Sequence, residues 1–263
     1  MTMAFGLIVV GDEILSGRRQ DKHLSRAIDI LAARGHSLAW CEVIGDDRAR
    51  ITASLKRAFE SADVVFSCGG IGATPDDHTR QCAAAALQRP LALHPEAKQL
   101  IEQRMQEMAA EKGVAFEPAH PDNIHRLNMG VFPEGAQIIP NPYNRIPGFS
   151  VGDVHFLPGF PVMAHPMMEW VLDTHYPALK PAPFEELALY VEGGVEAQLT
   201  PLMLEVEQRF DGVRIFSLPS VDHPQRGKHI ELGVKGEPDQ ARLAFAFLQQ
   251  ALQAMPGLTW STE

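Results

Sequence analysis

The sequence predicts an α/β protein with a parallel sheet, followed by a smaller α+β unit, and three observations carry that prediction. Mostly apolar runs at 4–10, 38–44 and 63–68 alternate with segments whose apolar residues recur at helical spacing. Such βαβαβ order predicts parallel strands joined by right-handed crossovers. The third run opens directly into Ser67-Cys68-Gly69-Gly70-Ile71-Gly72-Ala73-Thr74-Pro75-Asp76-Asp77, the stretch around which the chain is organised. Finally, residues 177–183 hold three prolines and a lysine, the composition of a linker. A length of 263 residues fits about two domains, expected at 1–176 and 184–263.

Each element follows from local chemistry. The run at 4–10 reads as a strand buried on both faces. It ends at Gly11-Asp12-Glu13-Ile14-Leu15-Ser16-Gly17, which lacks the G-x-G-x-x-G spacing of a dinucleotide site. Asp21 caps a helix with Leu24, Ile28 and Leu31 on its inner face, closed by Gly35. After the strand at 38–44, Asp46 or Asp47 caps a helix with Ile51, Leu55, Ala58 and Phe59 inward. Past the glycines, Thr74 reads as an N-cap and Pro75 as the first helical residue, with Asp76 and Asp77 in the first turn of a helix to Leu87. A long helix at 95–112, a short one at 120–128 and a strand at 136–139 follow. The strand opens into a proline-stiffened loop at 140–149. A hairpin joins 149–151 to 154–157. Leu157-Pro158-Gly159-Phe160-Pro161 then repeats the device of strand, glycine turn and proline-started helix, here running over 162–174. Beyond the linker, strands at 185–191, 213–218 and 229–234 and helices at 195–210 and 241–255 predict a βαββα unit.

The glycine stretch carries the chemistry. Glycines let the backbone turn sharply and approach a ligand, and the N–H groups and dipole of a following helix favour an anion. Two aspartates in the same turn would repel a phosphate. They make sense if a divalent cation bridges them to it, or if they accept hydrogen bonds from ligand hydroxyls or ring N–H groups. Read as packing alone, the glycines are a turn and the aspartates complement the dipole. Parallel topology brings Asp12, Asp46 and the turn at 69–77 to the carboxyl edge of the sheet, where open α/β sheets bind ligands. The second glycine turn and the stiff loop lie at strand ends of the same sheet, which favours one shared cleft.

Composition removes several function classes. A net charge of −10 argues against nonspecific nucleic-acid binding. The small unit offers neither an aromatic platform nor a basic-framed G-x-x-G loop, which argues against RNA. Cys41, Cys68 and Cys82 are odd in number and lack metal-ligand spacing, so they read as reduced thiols of a cytoplasmic protein. Cys68 could act as a nucleophile, but at the end of a buried strand it reads as a passive apolar residue. His120 and His125 read as surface histidines rather than metal ligands. No apolar run approaches the roughly 18 residues of a membrane span, and no basic segment with a cleavage site opens the chain.

Four segments occur in a telling order: Gly11-Asp12-Glu13-Ile14-Leu15, the glycine stretch from Gly69 to Asp77, Asn141-Pro142 followed by Pro147-Gly148-Phe149, and Leu157-Pro158-Gly159-Phe160-Pro161. In that order they resemble the molybdopterin-binding-like domain family, closest to the N-terminal part of competence/damage-inducible protein A. The resemblance covers 1–176, and 184–255 resembles the small KH-like domain that follows in that family. It implies a three-layer α/β/α domain followed by a small α+β domain. The nicotinamide-nucleotide amidase domain of longer members has no counterpart, and that activity is expected to be absent. Carried over by motif, Gly69, Gly70, Gly72 and Thr74 would contact phosphate, and Asp46, Asn141, Gly148, Pro158 and Gly159 would belong to the ligand site. Asp12, Asp76 and Asp77 would bind metal, and these three with Glu13 are the catalytic candidates. A homodimer is implied by the same analogy.

The function expected from this resemblance is a metal-dependent pyrophosphatase acting on a nucleotide diphosphate such as ADP-ribose or FAD, with magnesium, manganese or cobalt, and with potassium. Asp76 or Asp77 would hold the metal, which lowers the pKa of its bound water. Asp12 or Glu13 would orient that water or take its proton, and Arg145 would stabilise leaving phosphate charge. The alternative is a non-catalytic protein that binds molybdopterin or a nucleotide, its carboxylates only accepting hydrogen bonds. Either way the partner is a small phosphorylated ligand.

Overall fold

The computed structural model describes residues 3–179 and 183–262. The chain divides into two compact units, Met1–Leu179 and Lys180–Glu263; residues 180–182 of the expected linker lie outside the described residues. In the first unit the order is β1 (Phe5–Val10), α1 (Asp12–Leu15), α2 (His23–Ala32), β2 (Leu38–Ile44), α3 (Arg48–Glu60), β3 (Val64–Cys68), α4 (Thr79–Leu87), β4 (Leu91–Leu93), α5 (Pro95–Glu111), α6 (Pro121–Leu127), β5 (Val131–Pro133), β6 (Gln137–Ile139), β7 (Gly148–Val151), β8 (Val154–Leu157) and α7 (Pro161–His175). The main sheet runs β2-β1-β3-β8-β7-β6. Strands β2, β1, β3 and β8 are mutually parallel, as the alternation predicts, and β7 runs antiparallel to both of its neighbours.

Strand β1 shows why the unit has three layers. Its alternate residues feed two different cores. Ile8 and Val10 join Ile51, Leu55, Ala58 and Val65 on one face; Phe5, Leu7 and Val9 join Ile30, Leu31, Phe66, Met167 and Met168 on the other. Helices thus cover both faces, and the continuous apolar run is explained by its having no solvent side. Full burial of each such side chain stabilises the fold by roughly 1.5–3 kcal/mol.

The second unit comprises β9 (Glu185–Glu192), α8 (Glu196–Arg209), β10 (Arg214–His223), β11 (Gly227–Gly236), α9 (Pro238–Gln253) and β12 (Thr259–Ser261). Its antiparallel sheet has the order β10-β11-β9-β12, covered by α8 and α9 through Leu199, Val206, Ala244, Leu248 and Leu252. The expected βαββα pattern therefore gains a sixth element, β12. Asp222 and His223, expected in a loop, belong to the longer strand β10.

Three further expectations are corrected. The inner face of α2 is His23, Ala27, Ile30 and Leu31, while Leu24 and Ile28 are exposed. The helix packs on α7 as well as on the sheet, and Arg26–Glu169 and Arg34–Asp173 ion pairs of 2.8 Å tie the two helices, rotating the buried arc toward small Ala27. Second, Thr74 does not cap a helix. Residues 74–77 form a β-turn closed by Asp77 N–H donating to the Thr74 carbonyl at 3.0 Å, with Pro75 at the position that suits such turns, and α4 begins only at Thr79. Third, β4 and β5 pair as a separate two-stranded ribbon where no strand was expected. It places Phe132 in a stack on Phe149, with ring centroids 4.5 Å apart.

A polar chain crosses the apolar core below α7. Tyr176 donates its O–H to Asp153 at 2.7 Å, so its oxygen accepts from His155 Nε2–H at 2.7 Å, leaving Nδ1 to accept from Ser150 O–H at 2.7 Å. Every member is satisfied with His155 neutral, and burial, reinforced by nearby His175, pushes its pKa down to about 3. An unfolded chain takes up this proton near pH 6.5; the folded one does not until about pH 3. The stabilisation is thus fully present above pH 6.5 and is lost as pH falls, by up to about 1.4 kcal/mol per pH unit. Urea denaturation at pH 7, 5 and 4 should show this slope, and His155→Gln should flatten it. Tyr176→Phe should cost about 1–3 kcal/mol at neutral pH by leaving buried His155 Nε2–H without an acceptor.

The thiols give a simpler check. Cys68 and Cys82 are buried and Cys41 is exposed. Burial raises the Cys68 thiol far above its usual range, which fits an inert residue and not a nucleophile. A thiol reagent should titrate Cys41 alone in the folded protein and all three cysteines in urea.

Candidate functional site

The parallel strands end at one edge of the sheet, and their exits build the site. Strand β1 leads to Gly11, β2 to Gly45 and Asp46, β3 to Gly69, and β8 to Pro158 and Gly159. Between these exits lies a cleft of about 370 Å³ whose wall includes Glu13, Asp46, residues 69–74, Asp76, Asp77, Pro158 and Gly159.

A Cβ on each glycine of the central turn would meet a different neighbour. Gly69, at φ +108°, has no room for a Cβ because the Val10 carbonyl oxygen occupies that place. Gly70, at φ +68°, faces the Thr79 hydroxyl, and Gly72 faces the Asp77 carboxylate. Thr79 then locks the turn. Its N–H donates to the Gly70 carbonyl at 2.9 Å and its hydroxyl to the Gly69 carbonyl at 3.0 Å. The first amide of α4 is therefore spent on the turn itself. What the turn leaves open is a different set of donors. Among the described residues, the amides of Gly70, Ile71, Gly72 and Ala73 have no protein acceptor, and all four residues line the cleft. Successive unsatisfied amides in a turn form an anion-binding concavity.

The acidic residues divide by task. Asp12 and Asp46 hold each other's loops: Asp46 accepts from the Asp12 amide at 3.0 Å, and Asp12 accepts from the Asp46 amide at 3.1 Å. Asp77 Oδ2 accepts from the Thr74 amide at 2.8 Å and from its hydroxyl at 2.5 Å. Partial burial, with the charges of Asp12, Glu13 and Asp76 around it, raises the Asp46 carboxyl above the usual range despite the Asp12 amide. Asp76, fully exposed beside Thr74, is held below it by local hydrogen bonding.

The expected metal centre is not assembled. Among the described residues, no group of three or more His, Cys, Asp or Glu side chains is placed to hold a metal ion. Asp12 and Asp77 each direct one carboxylate oxygen at a backbone amide instead.

Two expected ligand residues lie away from the cleft. Asn141 is buried and rivets the proline-rich loop, donating to Asn144 Oδ1 at 2.8 Å and the Ile146 carbonyl at 2.9 Å while accepting from the Tyr143 amide at 3.0 Å. Gly148 sits in β7, where a Cβ would strike the Phe156 carbonyl and Met167. Arg145, expected to meet leaving phosphate, is left-handed at φ +63° and pairs with Glu107 of α5 at 2.9 Å. Arg19 is the one basic residue of the cleft wall among the described residues. Its amide donates to the Glu13 carbonyl at 3.0 Å after a turn at Gly17, φ +72°. His23, from α2, reaches the Gly159 carbonyl at 3.2 Å and steadies the second glycine turn.

Comparison with known proteins agrees with this architecture. The family described as "Probable molybdopterin binding domain" matches residues 6–180. A protein from Pyrobaculum calidifontis is 31% identical over 235 residues, covering 85% of each chain. A CinA-like protein from Anaeromyxobacter sp. (strain K) is 33% identical over 175 residues, which is 65% of this chain but only 40% of that relative. Among solved structures, CinA from Thermoplasma acidophilum, a protein described as of unknown function, matches with a TM-score of 0.54 at 27% identity, over 65% of this chain and 97% of that one. The chain belongs to the molybdopterin-binding domain family, and its first unit is a domain of the CinA N-terminal type.

Proposed function

We propose that the cleft binds a small phosphorylated pterin or nucleotide, with molybdopterin as the leading candidate, and binds it without metal-dependent turnover. One observation carries this reading: four consecutive residues of the cleft wall, from Gly70 to Ala73, have amides with no protein acceptor among the described residues. A phosphate would satisfy them, and Arg19 would supply the positive side chain. The volume, about 370 Å³, lies within the range of small-molecule sites. Asp76 offers acceptors for ring N–H or hydroxyl groups on the rim. Bound molybdopterin would supply both the phosphate and the pterin N–H groups that these donors and acceptors match. Membership in the molybdopterin-binding family supports the same assignment. Metal-dependent hydrolysis of ADP-ribose or FAD has less support, because two of the carboxylates it requires, Asp12 and Asp77, are engaged in holding loops, and no group of three metal-ligating side chains is assembled among the described residues.

Titration calorimetry with molybdopterin and with ADP-ribose, each in the presence of EDTA, tests the reading. Binding without turnover is expected, weakened about fivefold to tenfold by Arg19→Ala and more by Gly70→Ala, which forces a Cβ into a left-handed backbone. Hydrolysis that appears with magnesium or manganese and vanishes in Asp76→Asn would instead establish the pyrophosphatase. The acidic rim also makes a pH prediction. Protonated Asp46 repels a phosphate less than ionised Asp46, and its pKa is raised. Affinity for a phosphorylated ligand should therefore fall as pH rises from the usual carboxylate range toward neutrality. In Asp46→Asn that component should be missing when the two proteins are compared on one ligand.

A further inference from the structure

The segment at 73–77 has a second side. Ala73, Thr74 and Asp77 line not only the cleft but also a separate cavity of about 500 Å³. The cavity wall adds Arg48 from the start of α3, Arg80 and Gln81 from the first turn of α4, and Asn128. Arg80 is the unusual member. It is only 4% exposed, its Nη2 donates to the Gly72 carbonyl at 2.5 Å, and its Nε–H has no hydrogen-bond partner. Among the described residues, no carboxylate stands within ion-pair distance of Arg80 or of Arg48. Burial works against its charge, opposed by the field of Asp77. That carboxylate is the only one in the wall among the described residues, and its Oδ2 is already engaged by Thr74. A buried guanidinium with an open donor and no paired carboxylate is costly to maintain. An oxyanion relieves that cost, because the guanidinium fork matches its geometry.

We propose that this cavity is a second binding site for a phosphate-type oxyanion, held by Arg80 from the buried side and Arg48 from the open side, and separate from the amide-lined cleft. The assignment does not depend on what the cleft binds. The anion is either free phosphate or a phosphoryl group of a larger ligand. Because Arg80 also holds the Gly72 carbonyl, an anion there acts on the same loop that carries the cleft's amides.

The test is calorimetry and thermal melting of the whole chain with inorganic phosphate against chloride of equal ionic strength. Phosphate should bind and raise the melting temperature. Arg48→Ala should weaken that binding at least fivefold, and Arg80→Lys should do the same. Arg48 is exposed, so its variant decides the matter even if Arg80→Lys fails to fold. Arg19→Ala, in the cleft, should leave this binding event in place. Nucleoside diphosphate, run in parallel, distinguishes the sources: competition with phosphate at tenfold higher affinity identifies a larger ligand, and no competition identifies free phosphate. Absence of phosphate binding, or unchanged affinity in Arg48→Ala, overturns the proposal. Loss of all phosphate binding in Arg19→Ala also overturns it, since the ion would then belong to the cleft.

Discussion

Thr79 joins two parts of the chain that would otherwise be independent. Its amide and hydroxyl hold the Gly70 and Gly69 carbonyls, so the end of β3 and the start of α4 become one object. Thr79 is fully buried, and a hydroxyl in that position cannot turn to water for its partners. The turn therefore has little freedom. Gly69 is pressed to the Val10 carbonyl, Arg80 is carried into place one residue later, and residues 70–73 are left with their amides uncommitted. The cleft and the arginine-lined cavity are both outcomes of this junction.

The site shows how an acidic protein can hold an anion. The overall charge is −10, and four carboxylates, Glu13, Asp46, Asp76 and Asp77, stand in the cleft wall against one arginine. A field of that sign disfavours a phosphate at long range. Uncommitted amides act only at contact, where their dipoles are fixed, and so select a ligand that fits rather than any anion that arrives. Part of the acidic charge is also structural. Asp12 and Asp46 cross-brace two loops, and Asp77 closes its own turn. These roles explain why carboxylates collect at one rim without converging on one point.

Much of the fold was legible because the buried strands write both faces in apolar residues. Strands β1 and β3 feed two cores each, and no solvent-facing residue interrupts them. The three-residue strands β4, β5 and β12 went unread, whereas β6, equally short, was legible from the proline-rich loop that follows it. The stretch Thr74-Pro75-Asp76-Asp77 was misread because the same residues suit a helix N-terminus and a β-turn. What decided between them was Thr79, five residues on, whose bonds reach backward to the glycines. The face of α2 depended on α7, a partner more than a hundred residues away in sequence. At the site, the glycine turns and Asp46 were legible from strand ends alone. Asn141, Gly148 and Arg145 were not, because a motif's order does not say which of its residues brace a loop and which face a ligand.

The glycines themselves have a consequence for how such motifs are understood. Gly69 and Gly70 are fixed within the protein, each by a left-handed backbone and by a collision, with a carbonyl and a hydroxyl in turn. A population of sequences filtered for nothing but a stable fold would keep both. The pattern can thus outlive the ligand. A descendant that had lost every partner for its cleft would still carry the signature, and only the uncommitted amides of residues 70–73, which no packing constraint explains, distinguish a working site from its cast.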